Sequence, residues 1–260
     1  MGILKSLVVS MLPETILLPL KKIHYRRFLK TASEDDEPDL KIVKCLVAAG
    51  DTAIDIGANI GLFTLFLSRF VGEKGKVYSF EPIGVTYKIL SSNMSSLKAG
   101  NVNLFNYGIS DKNCSARMEI PKYASGGENF YQAHLVDSTS EGKSGRHIDV
   151  KMMTLDSLLP TLGGTVGFIK IDVEGHELSA INGGLRLLSD HMPALLIEIS
   201  GNPDEGDSSA ARIFFQLSKY GYSPYLFDGN NLKPRVAGDR SINYFFLAEK
   251  HLKSLKGKKF

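Results

Sequence analysis

The sequence predicts an α/β protein: one open, mostly parallel sheet with helices on both faces. Three observations support this. Short runs of strand pattern alternate with helical runs from residue 52 toward the C-terminal region, as in strands joined by crossover helices. The first of these strands ends in a glycine turn that opens straight into a helix. The chain's 260 residues, 43% hydrophobic and 23% charged, suit one large soluble domain with embellishments.

Residues 1–38 stand apart from the main domain. The stretch "ILKSLVVSMLPETILLPL" is apolar but divided by Lys5, Pro13 and Glu14, short of the ~18 apolar residues a membrane span needs. It has no clean apolar region followed by a small-residue cleavage site, so a secretory signal is not expected. Leu4, Leu7, Val8 and Met11 recur at helical spacing, which predicts a short amphipathic helix. Two settings suit it: docking on its own domain, or lying on an anionic membrane surface beside Lys21, Lys22, Arg26 and Arg27. The acidic "SEDDEP" (33–38) reads as a solvated linker.

The main domain is expected over 39–250. "DLKIVKCLVAAG" reads as a helix closed by Gly50. There follow a strand "TAIDIG", a helix over 62–70, a strand over 76–81 and a helix from about Val85 to Lys98. "NVNLFNYGIS" (101–110) reads as a third strand and "TVGFIKID" (165–172) as a fourth. A short helix from His176 to Ile181 stops at "NGG", and "PALLIEIS" (193–200) is a fifth strand. "SSAARIFFQLSKYGY" is a helix, and "YSPYLF" and "INYFFLAE" are late strands. Residues 113–154 break the rhythm and are expected to form an insertion over the sheet's C-terminal edge. Its middle is irregular, and "HIDVKMMTL" supplies an extra strand. His134, inside it, reads as a lid residue or as an exposed loop histidine.

Charge is unevenly spread. Residues 1–30 carry six Lys/Arg and one Glu, and 250–260 carry five Lys and no acid. The net +3 therefore leaves the body at about −7. Residues 251–260 form a basic tail. Basic ends on an acidic body exclude the continuous cationic stripe of a nucleic-acid binder. Cys45 and Cys114 lie far apart without metal-ligand spacing. They read as packing residues of a reduced, cytoplasmic protein.

The chemistry concentrates at strand ends. "DIGANIG" (55–61) places Gly57 and Gly61 where the backbone turns tightly and a ligand can approach it. Glu81 follows at the tip of the second strand, where an acid can accept hydrogen bonds from two ribose hydroxyls. The spacing departs from the dinucleotide fingerprint. Asp55 stands where a phosphate would be repelled, which favours a cationic ligand end such as the sulfonium and amino groups of S-adenosyl-L-methionine.

These pieces resemble the FkbM family of class I methyltransferases. The resemblance rests on "DIGANIGLFTLFLS", "FEP" with Asn93 downstream, "NYGISD", "MTLDSLL", "IKIDVEGHE" and "LLIEIS", in the family's order over roughly residues 40–200. It implies a Rossmann-like fold with a seven-stranded sheet of order 3-2-1-4-5-7-6, strand 7 antiparallel. It also implies methyl transfer from S-adenosyl-L-methionine, most often onto hydroxyls of sugars or natural products. Asp55, Gly57, Ala58, Asn59 and Gly61 would then wrap the methionine half, and Glu81 the ribose. Ser110 and Asp111 would touch the adenine, although a plain turn explains those two as well.

"IKIDVEGHE" (169–177) gathers the remaining ionisable groups. Lys170 and Asp172 share a strand face, and a buried lysine needs a partner, here Asp172 or Glu198. Glu174, His176 and Glu177 begin the acceptor side. The expected roles are His176 or Asp172 as proton acceptor, with Glu174 and Glu198 orienting the acceptor. His176 also fits a plain surface position near a helix start. Oxygen ligands from Asp172, Glu174 and another carboxylate would suit Mg²⁺, but a metal is not the favoured expectation.

The leading expectation is O-methylation of a sugar, glycan or glycolipid hydroxyl, with basic termini aiding contact with an inner membrane surface. Alternatives are methylation of a small secondary metabolite or a protein side chain, or a binding module without turnover. No "NPPY"-type tetrapeptide follows the fourth strand, and "NPDE" (202–205) reads as a loop. Oligomeric state and acceptor identity are not legible.

Overall fold

The computed structural model of the protein describes residues 14–122, 128–136 and 145–258. The first elements are helices α1 (Glu14–Thr31) and α2 (Asp39–Leu46), strand β1 (Thr52–Ile56), helix α3 (Leu62–Val71), strand β2 (Lys76–Phe80) and helix α4 (Gly84–Ser96). Strands β3 (Val102–Phe105), β4 (Gly108–Ile109), β5 (Cys114–Ile120), β6 (His134–Val136), β7 (Arg146–Met153) and β8 (Val166–Ile171) follow. Next come helices α5 (Glu177–Asn182) and α6 (Leu185–His191), strand β9 (Ala194–Glu198) and helix α7 (Ser209–Ser218). The last elements are β10 (Ser223–Phe227), β11 (Leu232–Pro234), β12 (Asn243–Leu247) and α8 (Glu249–Leu255).

β1 is buried at all five positions, as a strand covered on both faces must be, and it lies inside the main sheet. The strand order is β11-β10-β12-β9-β8-β1-β2-β3. The five strands from β9 to β3 run parallel. β12 runs antiparallel to both β9 and β10, so the order 3-2-1-4-5-7-6 with an antiparallel seventh strand is present. The sheet has eight strands rather than the expected seven, because β11 adds an antiparallel edge to β10. β11 spans three residues and ends in Pro234, a residue tolerated at a sheet edge because it has no N–H to donate.

Two apolar layers hold the sheet. Ile54, Ile56, Phe80, Ile169 and Leu195 pack on one face with Ile181, Leu188 and Ile213 from the helices above. Ala53, Val77, Phe168 and Phe245 pack on the other with Ile42, Val43 and Leu67. Each such fully buried side chain contributes roughly 1.5–3 kcal/mol. Leu29 of α1 is fully buried against Ala58, Leu65, Leu90 and Met94, so α1 rests on α3 and α4. The helix expected around Leu4–Met11 lies outside the described residues.

Four local expectations are corrected. α2 ends at Leu46, where Val47 turns extended, and Gly50 serves the later turn into β1 at φ +92°. The single strand expected over 101–110 is two: Asn106 Nδ2 donates to Glu81 O (2.8 Å) and Pro82 O (2.9 Å), and the chain then leaves the main sheet. Helix α6 follows "NGG" where no helix was expected. The insertion carries more than one extra strand, for β4, β7, β5 and β6 form a second, four-stranded sheet with its own apolar cluster of Ile83, Met118, Ile120, Val150 and Met152.

Candidate active site

The C-terminal ends of β1, β2, β8 and β9 converge on a cavity of about 240 Å³, the expected position for a ligand in an open parallel sheet. Its floor is Ile56, Gly57 and Asn59 at the end of β1, and Phe80 and Glu81 at the end of β2. Asp172, Val173, Glu174 and His176 after β8, with Glu198 of β9, form one end. The small sheet forms the roof with Met118, Phe130, Ala133, Leu135 and Met152.

Gly57 is a geometric necessity. Its φ is +78°, and a Cβ there would lie 1.8 Å from the Asp172 carbonyl oxygen. The backbones that follow β1 and β8 thus touch, and Asp172 N donates to Ile56 O at 3.0 Å. Asn59 also adopts a positive φ of 49°, an accessible conformation for Asn, and this aims its N–H at Glu81. Asn93, fully buried, donates from Nδ2 to Ile60 O at 2.9 Å and fixes the turn from below.

Glu81 accepts from Asn59 N (3.0 Å) and Ile83 N (2.9 Å). Each oxygen keeps further acceptor capacity. Burial pushes its pKa up to about 7, against those two hydrogen bonds.

Asp55 lies elsewhere. Period-2 alternation turns it away from Ile56 and the cavity, beside Ser79 and Lys170 on the neighbouring strands. Its Oδ2 accepts from Thr64 Oγ1 at 2.5 Å, and the residue is fully buried. Burial raises its pKa, while Lys170 and Thr64 pull it back. Lys170 Nζ pairs with Asp172 Oδ2 at 2.9 Å and sits 4.8 Å over the Phe63 ring. Burial works against the ammonium, yet the carboxylates of Asp172 and Asp55 outweigh it and raise its pKa. Lys170 is therefore a charge beneath the floor, not a cavity residue.

The end of the cavity at β8 and β9 is acidic. Glu198, half-buried, is pushed up to about 7 by burial and by Asp172. Burial also raises Glu174, with Asp172 adding to it. Oxygens of Asp172, Glu174 and Glu198 lie within 4.8 Å of one another, close enough for all three to ligate one hard cation. His176 Nε2 lies 2.9 Å from Ser110 Oγ, which donates to Asp111 Oδ1 at 3.1 Å. Burial lowers the His176 pKa, so the ring is neutral near pH 7.

Of the residues singled out in the sequence, Gly57, Asn59, Glu81, Asp172, Glu174, His176 and Glu198 line the cavity, and Asp55, Ala58, Gly61, Ser110 and Asp111 do not. Ala58 packs in the cluster under α1. Gly61 faces Leu90 and Met94, each 2.7 Å from where a Cβ would stand, and so permits helix packing. Ser110 and Asp111 brace His176; the cavity is lined by Tyr107, Gly108 and Ile109 just before them. No roof residue was singled out in the sequence, because Met118, Ala133, Leu135 and Met152 carry no ionisable group. The alternation in "CSARMEI" was the available signal.

The methyltransferase FkbM domain matches residues 55–224. The chain belongs to the FkbM methyltransferase family. "Methyltransferase 1" of Beauveria bassiana is 26% identical over 144 residues, covering 50% of this chain and 57% of that protein. "Hexuronic acid methyltransferase AglP" of Haloferax volcanii is 29% identical over 176 residues, covering 65% of this chain and 66% of that protein. The chain thus spans less than two thirds of either relative's length. A crystal structure of methyltransferase FkbM from Methylobacillus flagellatus KT overlays with a TM-score of 0.48 at 19% identity, covering 76% of this chain and 43% of the other. None of this FkbM chain's described helices is long and apolar enough to cross a membrane.

Proposed function

We propose that the chain transfers a methyl group from S-adenosyl-L-methionine to a hydroxyl of a sugar or glycan. One observation carries the reading. Four carboxylates, Glu81, Asp172, Glu174 and Glu198, line the cavity, and among the described residues no Lys or Arg does. Such a site repels a dinucleotide's pyrophosphate and attracts a ligand with a positive end. The discrimination assigned to Asp55 from the sequence passes to these four.

Glu81 would hold the ribose hydroxyls with its free acceptor positions, and the apolar slot of Ile83, Tyr107, Ile109 and Met152 would hold the base. Asp172 would face the cationic end. When bound, the cofactor supplies a methyl group already activated by its sulfonium. The protein's task is to bring an acceptor oxygen to ~3–3.5 Å in line with that carbon and to take its proton. We assign the proton to Glu198, whose pKa of about 7 matches a base working near neutral pH. Asp172 is paired with Lys170 and His176 with Ser110, so neither is assigned the proton; His176 and Glu174 would orient the acceptor hydroxyl. The site needs no metal in this scheme.

A sugar acceptor is supported by the Haloferax relative, named for methylating hexuronic acid. A reduced, cytoplasmic setting suits Cys45 and Cys114, both free thiols. The test is a thermal-shift titration with S-adenosyl-L-methionine and NAD, then methyl-donor consumption against uronic acids, sugar nucleotides, glycolipids and small alcohols. Stabilisation by the sulfonium compound alone and turnover on a sugar are expected. No shift at millimolar donor, or preference for NAD, would overturn the reading.

A further inference from the structure

Helix α1 is apolar on two sides: Leu29 is buried and Leu17 and Leu18 are half-buried against the domain, and a second set faces outward. Among the described residues seven large hydrophobic side chains are exposed, and four of them lie on this helix: Ile16 (49%), Leu20 (53%), Ile23 (41%) and Phe28 (38%). Ile16, Leu20 and Ile23 follow i, i+4, i+7 spacing and form one outward stripe. The side facing the domain includes the fully buried Leu29 and Lys21, whose Nζ sits 4.9 Å over the Phe130 ring. A helix that only covered its own domain would need no second, outward apolar stripe.

Charge identifies the occupant of the outer face. Residues 15–33 contain no acid, and Lys22, Arg26, Arg27 and Lys30 lie along the helix. None of these four forms an ion pair among the described residues. Residues 1–13 continue the same composition, with Ile3, Leu4, Leu7, Val8 and Met11, one lysine and no acid. An exposed apolar stripe flanked by unpaired cations complements the boundary between anionic headgroups and acyl chains.

We propose that α1 docks the protein on an anionic lipid surface, with Ile16, Leu20, Ile23 and Phe28 entering the headgroup boundary and Arg26, Arg27 and Lys30 meeting the phosphates. Lys21 of the helix lies over the Phe130 ring, and Phe130 belongs to the cavity's roof, so docking brings the roof side of the cavity beside the bilayer. A sugar carried on a lipid is the acceptor class this suits; that last step rests on the transfer reading above.

The experiment is flotation of the full chain with vesicles of phosphatidylcholine alone or with 30% phosphatidylglycerol. The anionic vesicles should bind at least ~10-fold more protein, and 0.5 M salt should weaken the binding. Leu20→Glu/Ile23→Glu and Arg26→Gln/Arg27→Gln should each reduce it by ~10-fold or more. Their unchanged melting temperature and cofactor-induced shift would show that the domain is intact. Equal binding to both vesicle types, or full binding by the variants, would overturn the proposal. So would a concentration-dependent dimer abolished by Leu20→Glu, which would give the face to a second copy. Flotation needs no cofactor, so its failure and a failure of the transfer reading are separately visible.

Discussion

Replacing Lys170 by Met tests the charge arrangement beneath the cavity floor. Lys170 Nζ lies 2.9 Å from Asp172 Oδ2, in register beside the fully buried Asp55. At an effective dielectric of about 20, unit charges that close attract by roughly 6 kcal/mol before desolvation. Methionine keeps the apolar stem but strands two carboxylates, a change that costs about 3–5 kcal/mol. For a chain of this size that corresponds to a melting-temperature drop of roughly 6–20 °C. The pH dependence gives the sharper readout. Burial already holds the folded pKa of Asp55 above its unfolded value, and removing the ammonium raises it further. A carboxylate with a raised folded pKa loses stability as pH climbs through that pKa and regains it below. The variant's deficit should therefore be greater at pH 8 than at pH 5, because acidification moves Asp55 toward its protonated form. Urea unfolding of both proteins at the two pH values measures this. A variant within ~1 kcal/mol of wild type at pH 8, or a deficit that grows on acidification, would refute the reasoning.

Three further outcomes are expected. Glu198→Gln should lower kcat by ~10²–10⁴-fold with donor affinity nearly intact, and the wild-type rate should rise with pH through about 7 as the carboxylate ionises; a stopped-time methylation assay across pH 5.5–8.5 reads both. Gly57→Ala should lower the melting temperature by at least ~2–4 °C, since the left-handed φ alone costs an L-residue ~1–2 kcal/mol and the Asp172 carbonyl must also move; scanning fluorimetry with and without S-adenosyl-L-methionine would show both the loss and weaker binding. Turnover should survive EDTA; loss of activity restored by Mg²⁺ would instead make Asp172, Glu174 and Glu198 metal ligands.

Much of the fold was legible because β1, β8 and β9 are short apolar runs separated by helices, which leaves few topologies open. β11 was not, since three residues carry no periodicity. The second sheet was half legible: β7 alternates over eight residues, whereas β5 is read as a strand only once β7 is there to pair with it. At the site, Glu81, Asp172, Glu174, His176 and Glu198 announced themselves as ionisable groups at strand ends. Asp55 lies off the cavity lining, and the rule that places it there was at hand: side chains alternate along β1, so Asp55 and Ile56 face opposite ways. Ser110 and Asp111 follow a strand that switches sheets, and no local pattern marks that switch.

The contact between Gly57 and the Asp172 carbonyl has a mechanical consequence. The loop that would cradle the donor and the loop that would face the acceptor are joined main chain to main chain, so their spacing is set by peptide geometry and not by pliable side chains. Thermal breathing of the roof should open and shut the chamber without changing the gap that the migrating carbon has to cross.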